Sequence, residues 1–128
     1  MSISRQNLSI VIVTFKSEEV INKCIRSIDK DIKIIVVENS NNYEFKNELE
    51  KSYKNVSCVL SNENLGMGAG NNIGIKKAET DFVLILNPDV ILESSTINEL
   101  IIASEKISNF AIIAPISSDT VSYTHLRA

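Results

Sequence analysis

The chain contains three short, nearly unbroken apolar runs, at residues 10–13, 34–37 and 82–86. Runs of this length that are rich in β-branched residues are typical of strands buried on both faces, as in a parallel sheet covered by helices. Two weaker runs of the same kind, at residues 56–60 and 110–114, predict two further strands.

Helical patterns separate these runs. Ser17 is suited to cap a helix whose apolar face would be Val20, Ile21, Cys24, Ile25 and Ile28. Asn41 with Glu44, and Thr96 with Glu99, resemble capping boxes at the start of two more helices. This alternation of strand and helix predicts an α/β fold with a Rossmann-like, doubly wound, mostly parallel sheet.

The pattern also predicts the domain organisation. Residues 1–7 form a polar leader, and residues 8–116 form one domain. Residues 117–128 have no clear period, which predicts either an ordinary tail or the scar of a truncated reading frame, with truncation slightly favoured.

Polar side chains follow every predicted strand, at the edge where ligands bind in open α/β sheets. Glu38 closes the second strand, where a carboxylate can accept hydrogen bonds from ribose hydroxyls, although a solvated loop acid would look the same. Asp89 follows Pro88 after the fourth strand and could hold Mg²⁺ or Mn²⁺ together with diphosphate oxygens, although a turn aspartate would also fit.

A glycine-rich segment at residues 62–74 invites interpretation as a dinucleotide-binding loop, but it fails on two counts. Asn71 stands where the third glycine of that fingerprint belongs, and the segment follows the third strand rather than the first. Gly66, Gly70 and Gly74 instead fall at i, i+4 and i+8, which predicts one bare helix face. Close packing on the sheet and close approach to a ligand explain such a face about equally well.

Composition narrows the function classes. The net charge is −3 with scattered Lys and Arg, so no electrostatic footprint for nucleic acid is present. The chain has two isolated cysteines, Cys24 and Cys58, and one histidine, His125. This composition argues against a disulfide framework or a zinc site. It favours a cytoplasmic protein. No apolar run approaches the ~20 residues needed to span a bilayer, which leaves peripheral contact with the inner face of a membrane open.

These segments resemble a known family. The chain contains the pattern N-x-G-x-x-x-G-x-N-x-G, followed by an apolar strand and then by N-P-D. This combination is similar to the amino-terminal half of inverting glycosyltransferases of family two. The residues that match it are Asn64, Gly66, Gly70, Asn72, Gly74, Asn87 and Asp89. The resemblance covers roughly residues 8–115 and is nearest to the rhamnosyltransferase-like branch. It implies the GT-A fold, with only its nucleotide-binding half present.

The resemblance implies roles for individual residues. It assigns the nucleotide base to Thr14 and Phe15, with Asn64 near the base pocket, and the nucleoside to Glu38. It assigns the metal and the diphosphate to Asp89, with Asn87 as a weaker partner. Lys16 stands where relatives usually carry Asn.

The resemblance also implies the reaction. A sugar would move from a nucleoside diphosphate sugar, a UDP- or dTDP-sugar, to a glycan or lipid-linked acceptor. The catalytic base of the family comes from a carboxyl-terminal half, so we expect this chain alone to be inactive or nearly so. Three alternatives stay open: a non-catalytic nucleotide-sugar-binding domain, a dinucleotide-dependent oxidoreductase, and a phosphoacceptor receiver. The misplaced glycines argue against the oxidoreductase. The absence of an acidic pair after the first strand argues against the receiver.

Overall fold

A computed structural model describes residues 2–107 and 109–115. The predicted tail at 117–128, with His125, and the domain boundary at residue 116 lie outside these residues. The four strands are β1 (Leu8–Thr14), β2 (Lys33–Glu38), β3 (Val56–Leu60) and β4 (Phe82–Leu86). The four α-helices are α1 (Ile21–Arg26), α2 (Tyr43–Ser52), α3 (Gly66–Lys77) and α4 (Thr96–Lys106).

The four strands form one parallel sheet in the order β3-β2-β1-β4. The chain steps outward from β1 to β2 to β3 and then returns across the sheet to β4. Because crossovers between parallel strands are right-handed, this order places α1 and α2 on one face and α3 on the other. The predicted doubly wound α/β fold is therefore confirmed.

Residues 4–94 form one compact unit that contains the whole sheet, while α4 belongs to a second unit. Every residue of β1 is buried, because β1 lies between β2 and β4. On the α3 face the core consists of Val11, Val13, Ile35 and Val37, against which Ile73 of α3 packs. None of the helices within residues 2–107 and 109–115 has the length and apolar character needed to cross a membrane.

Three local predictions need correction. Residues 110–114 form no strand. The run at 82–86 forms β4, but it is only partly buried, and Ile85 is 48% exposed, because β4 lies at the edge of the described sheet. The predicted helix caps are displaced: Val20 rather than Ser17 precedes α1, Asn42 rather than Asn41 caps α2, and Ser95 rather than Thr96 precedes α4.

The displaced cap of α2 has a conformational reason. Asn41 has a φ of 55°, a left-handed conformation that asparagine tolerates better than most residues. Asn41 therefore belongs to the turn before α2, and the cap lies one residue later than predicted. The Asn42 side chain accepts a hydrogen bond of 3.0 Å from the Phe45 amide.

Two glycines seat α3 directly on β1. A Cβ atom added to Gly74 would lie 2.3 Å from Cγ1 of Val11, and one added to Gly70 would lie 2.8 Å from Cγ1 of Val13. Contacts this short are not tolerated, so any side chain larger than hydrogen would push α3 away from the sheet.

Side chains of α2 occupy the outer edge of β3. The Cys58 amide donates to the Glu50 carboxylate at 2.9 Å, and the Lys46 ammonium donates to the Cys58 carbonyl at 2.6 Å. Lys46 and Glu50 also form an ion pair of 3.1 Å. Both backbone groups of Cys58 are thus satisfied by side chains, so this part of the edge is closed to pairing with another strand.

We predict that Gly74→Ala destabilises the protein while Gly68→Ala does not. The new methyl at position 74 would collide with Val11, at a cost of ~1–3 kcal/mol that exceeds the ~1 kcal/mol gain in helix propensity. An added Cβ at Gly68 of the same helix meets nothing within 4 Å, so its substitution should raise stability by up to ~1 kcal/mol. Denaturant unfolding of both variants measures the difference, and equal stabilities would refute the close packing.

We predict that the Glu50–Cys58 contact makes stability depend on pH. The Cys58 amide, and secondarily Lys46, hold the pKa of the Glu50 carboxyl below its usual value. A depressed pKa contributes stability that is present above the pKa of the unfolded state and is lost as the pH falls through the folded pKa. The free energy of unfolding should therefore fall less steeply below about pH 4.3 in Glu50→Gln than in the wild type. Glu48→Gln, an exposed change on the same helix, should leave the slope unchanged.

Candidate functional site

The carboxyl ends of the four parallel strands meet at one edge of the sheet. Thr14 at the end of β1 is the register partner of Glu38 at the end of β2, and Glu38 is the partner of Leu60 at the end of β3. Leu86 at the end of β4 pairs with Ile12 of β1. Successive strands are added on one side of β1 up to β3, and β4 is then added on its other side, so the ends of β1 and β4 border the crevice where ligands bind in such sheets.

A buried polar cluster joins the ends of β1 and β2. Glu38 and Thr14 are both 0% exposed. One oxygen of Glu38 accepts from the Thr14 hydroxyl at 2.7 Å, and the other accepts from the Ser40 amide at 2.8 Å and from the Ser40 hydroxyl. Both carboxylate oxygens therefore have protein partners, and neither is open to solvent.

A second buried group connects β2, β3 and the start of α3. Asn39 is 2% exposed. Its amide nitrogen donates to the Gly66 carbonyl at 3.1 Å, and its amide oxygen accepts from the Ser61 hydroxyl at 2.7 Å. Asn39 and Ser61 were not among the sequence-predicted site residues, although both directly follow strands, which is the available signal.

The residues after β1 present an aromatic ring and a cation. Phe15 is 47% exposed, and the Lys16 ammonium lies 5.3 Å from the centroid of its ring. Lys16 has a φ of 53°, which is uncommon for a residue with a long side chain. The Ser17 hydroxyl hydrogen-bonds to the amide and carbonyl of Phe15, both at 3.3 Å, and thereby fixes this turn. Phe15 is accessible to a planar ligand, whereas the side chain of Thr14 is not.

Asn64 and Gly66 have local roles at the start of α3. The Asn64 side chain accepts from the Gly66 amide at 3.0 Å. The prediction that Gly66 belongs to the packed glycine face is wrong, because an added Cβ there would meet nothing within 4 Å. Its φ of 80° is the physical reason for glycine at this position.

Asn87 and Asp89 follow β4 and are exposed. Within residues 2–107 and 109–115, neither side chain hydrogen-bonds to the Thr14–Glu38–Ser40 cluster. The Asn87 carbonyl accepts from the Val90 amide at 3.2 Å and from the Cys24 thiol at 3.6 Å. Burial, and to a lesser extent the negative charge of Asp89, raises the pKa of Cys24 to about 11, so the thiol is not a nucleophile near neutral pH.

The metal that the resemblance implies at Asp89 would have few protein ligands. Among the residues that the structure describes, no group of three or more His, Cys, Asp or Glu side chains could hold an ion. Mg²⁺ and Mn²⁺ take oxygen ligands, and Mg²⁺ is usually bound by one or two carboxylates together with substrate phosphates. The exposed Asp89 carboxylate would fit an ion of that kind, one that the protein would hold jointly with a phosphorylated ligand.

Comparison with known proteins adds a family and two relatives. The family model described as glycosyl transferase family 2 matches residues 9–127. The low-salt glycan biosynthesis hexosyltransferase Agl10 of Haloferax volcanii is 34% identical over 113 residues, which are 85% of this chain and 36% of that protein. The teichoic acid poly(glycerol phosphate) polymerase of Staphylococcus epidermidis is 31% identical over 122 residues, 88% of this chain and 16% of that protein. The chain thus spans little more than a third of one relative and about a sixth of the other.

A solved structure shares the fold. The crystal structure of S. aureus TarS 1–349 superposes with a TM-score of 0.67 at 17% identity, covering 88% of this chain and 40% of that one. At this identity the likeness shows the fold alone, and it agrees with the predicted GT-A fold.

We predict that Asn39→Ala lowers the free energy of unfolding by about 1–3 kcal/mol, because it removes a buried side chain that hydrogen-bonds to the Ser61 hydroxyl and to the Gly66 carbonyl, and because it opens a cavity. Thermal or denaturant unfolding measures the loss. Asn72→Ala, an exposed change on α3, should stay within about 0.5 kcal/mol of the wild type. A similar small effect at Asn39 would show that this side chain does not hold the strand ends and α3 together.

Proposed function

The chain belongs to glycosyl transferase family 2, and from this premise we propose that it binds the nucleoside diphosphate sugar of a glycosyl transfer reaction. The observation that carries the proposal is that an exposed aromatic ring follows β1 and an exposed carboxylate follows β4, at the carboxyl ends of two neighbouring strands. Phe15 offers a surface for a base, and Asp89 offers a ligand for a metal-bound diphosphate.

The donor in this proposal is a UDP- or dTDP-sugar, with dTDP-rhamnose as the candidate that follows from the rhamnosyltransferase-like motifs. The acceptor is a glycan or a lipid-linked glycan. The names of the two curated relatives, a hexosyltransferase of glycan biosynthesis and a teichoic acid polymerase, support an acceptor of this class. The free, buried Cys24 and Cys58 agree with a cytoplasmic location, and a lipid-linked acceptor would place the reaction at the inner face of the membrane.

The transfer itself is proposed to invert the anomeric carbon. An acceptor hydroxyl would attack that carbon as the bond to the diphosphate breaks, and a carboxylate would take up the hydroxyl proton. A bound Mg²⁺ or Mn²⁺ would neutralise charge that develops on the diphosphate. Asp89 would position the diphosphate through such an ion, and Asn87 would lie beside it. We assign no catalytic base among residues 2–107 and 109–115, so donor binding is the part of the reaction proposed for these residues.

Calorimetric titration with UDP and dTDP, with and without Mn²⁺, tests the proposal. We predict metal-dependent binding that Asp89→Ala weakens about 10- to 150-fold, because a contact to a charged group contributes roughly 1.5–3 kcal/mol. Asp81→Ala is the matched control, since Asp81 is an exposed aspartate just before β4, at the opposite end of the same strand. If neither UDP nor dTDP binds, or if NADH binds tightly instead, the proposal is contradicted.

A non-catalytic donor-binding domain is the second candidate, because both functions share the binding site and differ only in transfer. Release of free nucleoside diphosphate from the sugar nucleotide in the presence of acceptor separates them. Turnover by this chain alone would exclude the non-catalytic candidate and would also contradict the expectation of an inactive chain.

A further inference from the structure

We propose that Ser27, the residue directly after α1, is a positioning residue for Asp89, because it holds the loop after β4 in the conformation that binds a metal-bound diphosphate. This inference rests on the proposed function and deepens it, since it explains how an exposed carboxylate on a loop is kept in place. Ser27 was not among the sequence-predicted site residues.

The loop after β4 is attached to α1 at both of its ends. At its start, the Asn87 carbonyl accepts from the Cys24 thiol at 3.6 Å. At its end, the Leu92 amide donates to the Ser27 hydroxyl at 3.0 Å. Cys24 and Ser27 stand at i and i+3, so they are neighbours on one turn of α1. Asp89 therefore lies between two attachments to the same helical turn.

The Ser27 hydroxyl is the stronger of these two attachments. It donates its single proton to the Cys24 carbonyl at 2.6 Å, since a carbonyl can only accept. Its oxygen is thereby oriented to accept from the Leu92 amide. The Cys24 thiol, by contrast, is a weak donor at a longer distance. Ser27 is therefore the side chain that fixes the end of the loop.

The loop itself supplies a turn but little burial. The Val90 amide donates to the Asn87 carbonyl at 3.2 Å, which closes a turn around Pro88 and Asp89. This turn fixes the local shape of the chain, while the contacts with α1 fix where the turn lies. Asn87, Asp89 and Ile91 are exposed, so packing contributes little to holding the segment. A segment of this kind depends strongly on each of its hydrogen bonds.

The other end of α1 begins at the turn that carries Phe15. The Ser17 hydroxyl bonds to the backbone of Phe15, and the Ser17 carbonyl accepts from the Ile21 amide at 3.0 Å. Ile21 is the first residue of α1 and is 0% exposed. The helix thus runs from the turn that carries Phe15 to the loop that carries Asp89. A ligand that contacts both sides binds at a smaller entropic cost when their separation is fixed in advance.

Calorimetric titration with whichever of UDP and dTDP binds more tightly tests the inference. The measured quantity is the metal-dependent gain, the ratio of Kd without Mn²⁺ to Kd with Mn²⁺. Ser27→Ala should reduce this gain about 2- to 10-fold, the range of one net hydrogen bond, and should leave the affinity without metal unchanged. Ser27→Thr, which keeps the hydroxyl, should restore the gain. Ser52→Ala, at the exposed end of α2, is the matched control and should leave it unchanged.

A double variant separates positioning of Asp89 from a general effect on the protein. Adding Ser27→Ala to Asp89→Ala should change no affinity further, because Ser27 acts through Asp89. Thermal unfolding of each variant gives the temperature below which it is folded, and the titrations are made there.

Hydrogen exchange in the wild type tests the inference without any variant. If the bond between Ser27 and Leu92 favours metal-dependent binding, that binding must favour the bond to the same extent. The nucleoside diphosphate with Mn²⁺ should therefore slow exchange of the Leu92 amide more than exchange of the Cys58 amide. The Cys58 amide is the matched control, since it also donates to a side chain, that of Glu50, at the far edge of the sheet.

Three results would overturn the inference while leaving the proposed function standing. They are an equal metal-dependent gain in the wild type and Ser27→Ala, a further loss of affinity in the double variant, and equal slowing of the Leu92 and Cys58 amides. If Ser27→Ala does not fold, the exchange measurement decides. Absence of metal-dependent binding to the wild type would refute the proposed function and this inference together.

Discussion

The absence of side chains at Gly70 and Gly74 is the constraint on which this arrangement depends. With these two residues α3 lies directly against Val11 and Val13 of the central strand, at a distance that no Cβ atom would permit. The close approach brings the first turn of α3 near the ends of β1 and β2, where Asn39 reaches the Gly66 carbonyl. Helix, central strand and polar cluster therefore form one packed unit, and a shift of α3 would disturb the strand ends directly.

The strand-end region divides into two chemically different parts. Between β1, β2 and β3 the polar side chains are buried and bonded to one another, as Glu38, Asn39 and Ser61 illustrate. After β1 and β4 the side chains are exposed, as Phe15 and Asp89 illustrate. Buried polar groups with complete partners give rigidity, whereas exposed groups with few partners are free to bind. A rigid base beside exposed side chains would suit the diphosphate binding proposed above.

The alternation of apolar runs and helical patterns was sufficient to predict the α/β fold and the edge at which polar residues meet, because period and burial are local signals. Which glycines face the sheet could not be predicted from spacing. Gly66 shares the i, i+4 series with Gly70 and Gly74, yet only the latter two lie over β1. The enclosure of Glu38 was likewise not visible, because it depends on the register that places Thr14 beside it. Both features arise from contacts between segments far apart in the chain, on which a pattern within one segment carries no information.

The left-handed conformations of Lys16 and Asn41 have a consequence for engineering this protein. Each residue lies shortly after a strand end, one on either side of the Thr14–Glu38–Ser40 cluster, with φ values of 53° and 55°. Glycine adopts such a conformation without strain, so glycine at these positions would relieve the backbone locally. Glycine would also give the two loops more conformational freedom. The loops that border the strand ends would then be less ordered, although their backbone strain would be smaller. If the proposed site is correct, stability and ligand recognition would therefore trade against each other at these two positions.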